Sequence, residues 1–173
     1  MGSYLNPGNK GFQESLNSEI YVDKTGLIEK TNAVLDTRQK FLCVSRPRRF
    51  GKSMAADMLA AYYERGEDAD LLFRSLKISK AESYRAHLNQ YDVIKVNIQE
   101  FLSMTGSMDE MLSMLKKYLV FDLMEHFDDV RFRDESNLIQ VMKDIYAKTK
   151  RAFVILIDEW DCLFREYQQN QDS

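Results

Sequence analysis

The sequence is poor in thiol and imidazole side chains, with two cysteines and two histidines among 173 residues. Neither Cys43 nor Cys162 has a second cysteine or a histidine at metal-ligand spacing, and both lie in or beside apolar stretches. His87 and His126 are far apart in the chain. We therefore expect two buried, reduced thiols and no metal site built from cysteine or histidine.

Long apolar runs and a strong net charge are also absent. No run approaches the roughly 20 residues of a membrane span, and no charged-then-apolar leader is present, so we expect a cytoplasmic protein. The net charge of −3 provides no broad electrostatic surface for nucleic acid. Basic charge is instead concentrated at Arg46, Arg48, Arg49 and Lys52, which suits a compact anionic ligand.

Apolar patterning predicts an α/β fold with three core strands, at residues 41–45, 93–98 and 152–157. The third is apolar throughout and is expected to be central and covered on both faces. Residues 1–18 are predicted to be irregular, and 19–23 to form a short strand.

Helical spacing fills the intervals between the strands, which predicts a parallel sheet covered by helices. Ser107 and Glu110 form a capping box that opens a long helix, and Thr25 is expected to cap an earlier one. The predicted helices cover residues 25–36, 54–66, 107–127 and 135–149, with short helices and connections over 67–90.

A basic, glycine-containing turn joins the first predicted strand to the helix that follows it. A helix N-terminus offers unpaired N–H groups and a positive dipole end to phosphate. In such a turn Gly51 would let the backbone approach the ligand, Lys52 would reach the β- and γ-phosphates, and the Ser53 hydroxyl would bind Mg²⁺. The candidate nucleotide-binding residues are Arg46, Pro47, Arg48, Arg49, Phe50, Gly51, Lys52, Ser53 and Met54.

This turn departs from the general phosphate-loop pattern. Arg46 occupies the position where the pattern begins with glycine, and Pro47 removes one backbone donor. The alternative interpretation is a basic turn followed by a helix whose first turn contains Ser53.

The third predicted strand ends in two acids, Asp158 and Glu159. In nucleotide hydrolases such a strand end holds magnesium, here through Asp158, while Glu159 would act as the general base on the attacking water. The alternative is two acids that simply follow a buried strand where the chain meets solvent. Both patterns together, in this order, favour a nucleoside triphosphate bound with Mg²⁺.

Three segments resemble the AAA-ATPase-like family of bacteria and archaea, whose members often carry a nuclease-like domain further towards the C-terminus. They are Tyr21-Val22-Asp23-Lys24-Thr25, the string from Ser45 to Ser53, and Leu156-Ile157-Asp158-Glu159-Trp160-Asp161. The resemblance covers about residues 19–163.

The resemblance implies a P-loop ATPase domain over residues 19–173, with ATP and Mg²⁺ as its ligands. Lys52 would bind phosphate, Ser53 and Asp158 magnesium, and Glu159 would activate water. The segment from Tyr21 to Thr25 either lies near the nucleotide base or docks on the sheet as a strand edge.

ATPases of this type have a later strand between the phosphate-loop strand and the acidic strand, and no strand-like segment follows Cys162. We expect either a fragment or a naturally short member with an incomplete sheet. Its open edge would favour self-association or a partner strand. Arg48 and Arg49 are candidates for phosphate contact or for surface charge, and hydrolysis is expected to be slow without a sensor residue.

Three functions remain open on the sequence alone. The first is an ATP hydrolase that drives an attached or partner effector. The second is a nucleotide-binding and protein-interaction module without hydrolysis, and the third is a nucleic-acid-binding fragment that uses the arginine cluster. The sequence does not distinguish ATP from GTP.

Overall fold

A computed structural model describes residues 3–45 and 51–164 of the chain. Within these ranges the secondary structure alternates between helices and two strands, as the sequence predicts for a mixed α/β fold. The helices are α1 (Lys10–Leu16), α2 (Gly26–Asn32), α3 (Lys52–Tyr63), α4 (Asp70–Phe73), a 3₁₀ turn (Lys77–Lys80), α5 (Tyr84–His87), α6 (Ile98–Ser103), α7 (Met108–His126) and α8 (Leu138–Thr149). The strands are β1 (Asp92–Asn97) and β2 (Phe153–Asp158).

The two strands pair in parallel, as predicted. The register runs from Asp92 opposite Phe153 to Asn97 opposite Asp158, so the two carboxyl ends lie side by side. The long connection through α6, α7 and α8 allows the parallel pairing, because parallel strands need a crossover.

Helices cover both faces of the sheet and form two hydrophobic clusters. Successive side chains of a strand point to opposite faces. Val93 therefore joins the cluster that contains α3 and the aromatic residues Phe12, Tyr62 and Phe73. Ile94 joins the second cluster, which α6, α7 and α8 supply.

Of the two predicted helix caps, the one at Ser107 is confirmed and the one at Thr25 is wrong. The Ser107 side chain accepts a hydrogen bond from the Glu110 N–H at 3.2 Å at the start of α7. The helix predicted from Thr25 begins at Gly26, but the Thr25 side chain does not cap it. Its hydroxyl instead donates to Asp23 and accepts from the Ile78 N–H.

The prediction of an irregular segment before residue 18 is wrong for residues 10–16, which form α1. Phe12 is buried and stacks on Phe73 with ring centroids 4.7 Å apart. Gly11 lies against the Asp57 carboxyl group of α3, where an added Cβ would be 2.9 Å from its Cγ. Tertiary packing on α3 therefore stabilises a helix whose own sequence gives a weak signal.

The predicted strand at residues 41–45 is also wrong, so the described sheet has two strands rather than three. Phe41 is 87% exposed, and Cys43 is exposed rather than buried. An apolar run becomes a strand only where a neighbouring strand accepts its main-chain hydrogen bonds, and the sequence pattern does not encode that neighbour. The segment at residues 19–23, predicted as a short strand, is likewise not a strand.

The sequence predicts that β2 is the central strand of the sheet. Among residues 3–45 and 51–164 this is wrong, because β2 lies at an edge of the sheet. Ile155 and Ile157 are about half exposed, at 52% and 53%. Within those ranges β2 is paired on one side only, and the face that carries these two side chains is about half uncovered. Cys162 is buried as predicted, and burial raises the pKa of its thiol.

Candidate functional site

The turn into α3 is made at Gly51, which has φ 75° and ψ 35°. This left-handed conformation is easily adopted by glycine and costs other residues free energy. α3 then begins at Lys52, so its first N–H groups, which have no partner within the helix, lie at this turn. Ser53 and Met54 follow in the first turn of α3 and are exposed.

Only some of the predicted phosphate-loop residues, those from Gly51 onwards, lie in the described part of the chain. Gly51, Lys52, Ser53 and Met54 lie in the described structure at the start of α3. The other five predicted residues, Arg46, Pro47, Arg48, Arg49 and Phe50, lie outside the described residues.

The carboxyl end of β2 carries the predicted acids at a sharp turn. Asp158 is buried, and its carboxylate accepts a hydrogen bond from the Glu159 N–H at 2.9 Å. Glu159 has a positive φ of 52°, a conformation that few residues other than glycine adopt. Such local strain often occurs at functional sites, where the surrounding structure holds it.

The fold brings this acidic turn to the start of α3. The Lys52 Nζ atom lies 3.9 Å from the Asp161 Oδ1 atom, and both side chains are partly exposed. α3 packs on both strands, so its first residue reaches their adjacent carboxyl ends. In a parallel α/β sheet, ligands bind at this edge.

Sequence reasoning missed Asp161. This acid lies two residues beyond Glu159, and it is the carboxylate recorded in an ion pair with Lys52. The spacing alone gives no reason to select it, because the turn at Glu159 determines where the acid that follows it lies.

Lys24 is the second basic residue at the turn, and its position was not predicted. A Cβ atom built on Gly51 would lie 3.1 Å from the Lys24 Nζ atom. The amine therefore lies directly against the backbone of the turn that leads into α3. The segment from Tyr21 to Thr25 is thus adjacent to Gly51 and is not a strand.

The groups at this edge fit a magnesium-bound polyphosphate in chemical type. Amines and helix N–H groups bind phosphate oxygens, and the carboxylate and hydroxyl oxygens of Asp158 and Ser53 are ligands that Mg²⁺ prefers. Across residues 3–45 and 51–164, no group of three or more His, Cys, Asp or Glu side chains is arranged to hold a metal ion. Magnesium bound with a nucleotide needs no such group, because phosphates and water supply most of its ligands.

The described residues define a mixed α/β protein with a parallel sheet. Comparison with known families then identifies the family. The model of the AAA-ATPase-like family, described as "Predicted AAA-ATPase", matches residues 8–173. The chain belongs to this family, which confirms the resemblance seen in the sequence.

One curated relative is an uncharacterized protein encoded in the vnfD 5' region of Azotobacter chroococcum mcd 1. It is 26% identical over 146 residues, which cover 82% of this chain and 25% of the relative. The chain thus spans about a quarter of the length of that relative. No solved structure gave a significant match. None of the helices in the described ranges is both long and apolar enough to cross a membrane.

Proposed function

We propose that this chain is a P-loop NTPase domain over residues 19–173 that binds ATP with Mg²⁺ and hydrolyses it. Hydrolysis would drive an attached or partner effector. The observation that carries this proposal is the approach of Lys52 to Asp161, 3.9 Å apart. It supports a single site in which a cation for phosphate and carboxylates for magnesium come from distant parts of the sequence. Membership of the AAA-ATPase-like family supports ATP as the nucleotide.

Each group at this edge has a role in the proposed reaction. Lys52 and the first N–H groups of α3 bind the β- and γ-phosphates, together with residues 46–50. Ser53 and Asp158 would hold Mg²⁺, which neutralises charge on the phosphates when it is bound. Glu159 accepts the proton of the attacking water. Asp161 forms an ion pair with Lys52 at this edge.

Lys52→Ala is expected to lower the affinity for Mg²⁺-ATP by about 10- to 100-fold, because charge-assisted hydrogen bonds contribute about 1.5–3 kcal/mol each. The measurement is the unfolding temperature as Mg²⁺-ATP is added. At a ligand concentration about 100 times its Kd, the parent gains about 2.7 kcal/mol, or roughly 5–11 °C for a chain of this size. At the same concentration the variant is expected to gain about 0.4–1.4 kcal/mol, or roughly 1–6 °C.

Lys117→Ala is the matched control, since it removes an exposed lysine from α7, which packs on α8. This variant is expected to respond to Mg²⁺-ATP as the parent does. Equal stabilisation of the parent and Lys52→Ala would contradict the proposed phosphate site. Failure of the nucleotide to stabilise the parent would contradict nucleotide binding by this chain.

We also propose that the outer edge of β2 pairs with a second copy of the chain. The half-exposed Ile155 and Ile157 on this strand support the proposal, because an uncovered apolar edge is a template for pairing. Ile155→Lys is expected to weaken self-association at least about tenfold, since the interface would bury an unpaired charge. Sedimentation of the parent, Ile155→Lys and the control Leu71→Lys on α4 tests this, and a monodisperse monomer at high concentration would contradict it.

A further inference from the structure

The segment that precedes α2 is held by a set of hydrogen bonds to its own backbone and to the 3₁₀ turn. The Asp23 carboxylate accepts hydrogen bonds from the Thr25 N–H at 2.9 Å, the Thr25 hydroxyl at 2.6 Å and the Lys77 N–H at 2.8 Å. Thr25 is fully buried, and its hydroxyl accepts from the Ile78 N–H at 3.1 Å. Burial alone would raise the pKa of Asp23, but the hydrogen bonds from Thr25 and Lys77 lower it, which keeps the carboxylate charged.

These contacts fix the backbone on both sides of Lys24. Its neighbours Asp23 and Thr25 are anchored to the 3₁₀ turn at Lys77–Lys80, so the direction in which the Lys24 side chain leaves the backbone is restricted. The amine lies against Gly51, at the distance given above for an added Cβ. A side chain at position 51 would crowd the Lys24 amine, which would have to move by a few tenths of an ångström.

Two amines thus flank the first residues of α3, Lys24 Nζ beside Gly51 and Lys52 Nζ beside Asp161. The N-terminal end of a helix carries partial positive charge and attracts anions. Two lysines near that end increase the attraction for an anion with several charges, such as a chain of phosphates.

We propose that Lys24 is a second phosphate-binding lysine, which contacts the polyphosphate of the nucleotide together with Lys52. This inference rests on the proposed nucleotide binding. It gives the Asp23-Lys24-Thr25 segment a function at the phosphates, with Asp23 and Thr25 as positioning residues and Lys24 as the residue that contacts the ligand.

Lys24→Gln is expected to weaken Mg²⁺-ATP binding about tenfold, because it removes one charge-assisted contact. Lys24→Arg keeps the charge and is expected to stay within about threefold of the parent. Binding is measured by calorimetric titration of Mg²⁺-ATP at fixed salt. Lys30→Gln, on the exposed face of α2, is the matched control and is expected to bind as the parent does.

The outcomes separate this inference from the proposed function. One outcome is that the parent binds ATP and that Lys52→Ala loses affinity but Lys24→Gln does not. In that case nucleotide binding stands, and the proposed role of Lys24 is wrong. If Lys24→Gln and Lys24→Arg lose affinity equally, charge is not the cause and the inference is again wrong. If the parent does not bind ATP, both proposals fail. Unfolding temperatures without nucleotide, expected to agree among the variants and the parent, exclude a loss of affinity through misfolding.

Discussion

Replacing Glu159 by glutamine is expected to lower the rate of ATP hydrolysis by about 10²- to 10⁴-fold while Mg²⁺-ATP still binds. Glutamine has nearly the same shape as glutamate but does not accept a proton from the attacking water. Both residues also meet the same backbone cost at this position, where φ is 52°. The turn after β2 should therefore persist in the variant, and the loss should fall on the chemical step.

Release of inorganic phosphate under single-turnover conditions measures this effect. Glu14→Gln is a suitable control, because Glu14 is an exposed residue of α1 whose recorded ion pair is with Lys10. An unchanged rate in Glu159→Gln would remove Glu159 as the general base. A parent chain that binds nucleotide without turnover would instead favour a nucleotide-binding and protein-interaction module.

Phe73→Ala is expected to destabilise the fold by about 3–5 kcal/mol, the range for removing a buried aromatic ring. Phe73 is fully buried and stacks on Phe12. It also meets the Tyr62 ring edge to face, with centroids 5.4 Å apart. The ring thus joins α1, α3 and α4 in the cluster on which α3 rests.

Chemical denaturation of the parent and the variant measures this loss. Leu71→Ala is the control from the same helix, since Leu71 is 66% exposed and its loss should change stability by less than about 0.5 kcal/mol. A loss below about 1 kcal/mol in Phe73→Ala would contradict the position of Phe73 in this core.

The parts of the fold that the sequence predicts correctly depend on local signals. α7 begins one residue after its predicted cap, Ser107, and α8 lies within its predicted range. β1 and β2 lie within one residue of their predicted bounds, because both runs are rich in the β-branched residues that favour strands.

The failures concern features that depend on partners distant in the sequence. Residues 41–45 and β2 are equally apolar, yet only β2 pairs with a neighbouring strand in the described structure. α1 forms because Phe12 fits against Phe73, a contact that no local pattern indicates.

In the candidate site, too, the residues marked by local motifs were predicted, and those placed by the fold were missed. The glycine-lysine-serine turn and the acidic strand end are recognisable as motifs, and the fold brings them to one edge of the sheet. Lys24 and Asp161 were missed as site residues because their positions depend on turns at Thr25 and Glu159 that spacing does not reveal.

Equilibrium dialysis of labelled ATP against the purified chain, with and without Mg²⁺, tests the central claim most directly. The proposed function predicts saturable binding of one nucleotide per chain that unlabelled ATP displaces and that Lys52→Ala weakens. Equal concentrations of labelled ATP on both sides of the membrane, at every concentration of chain, would contradict it.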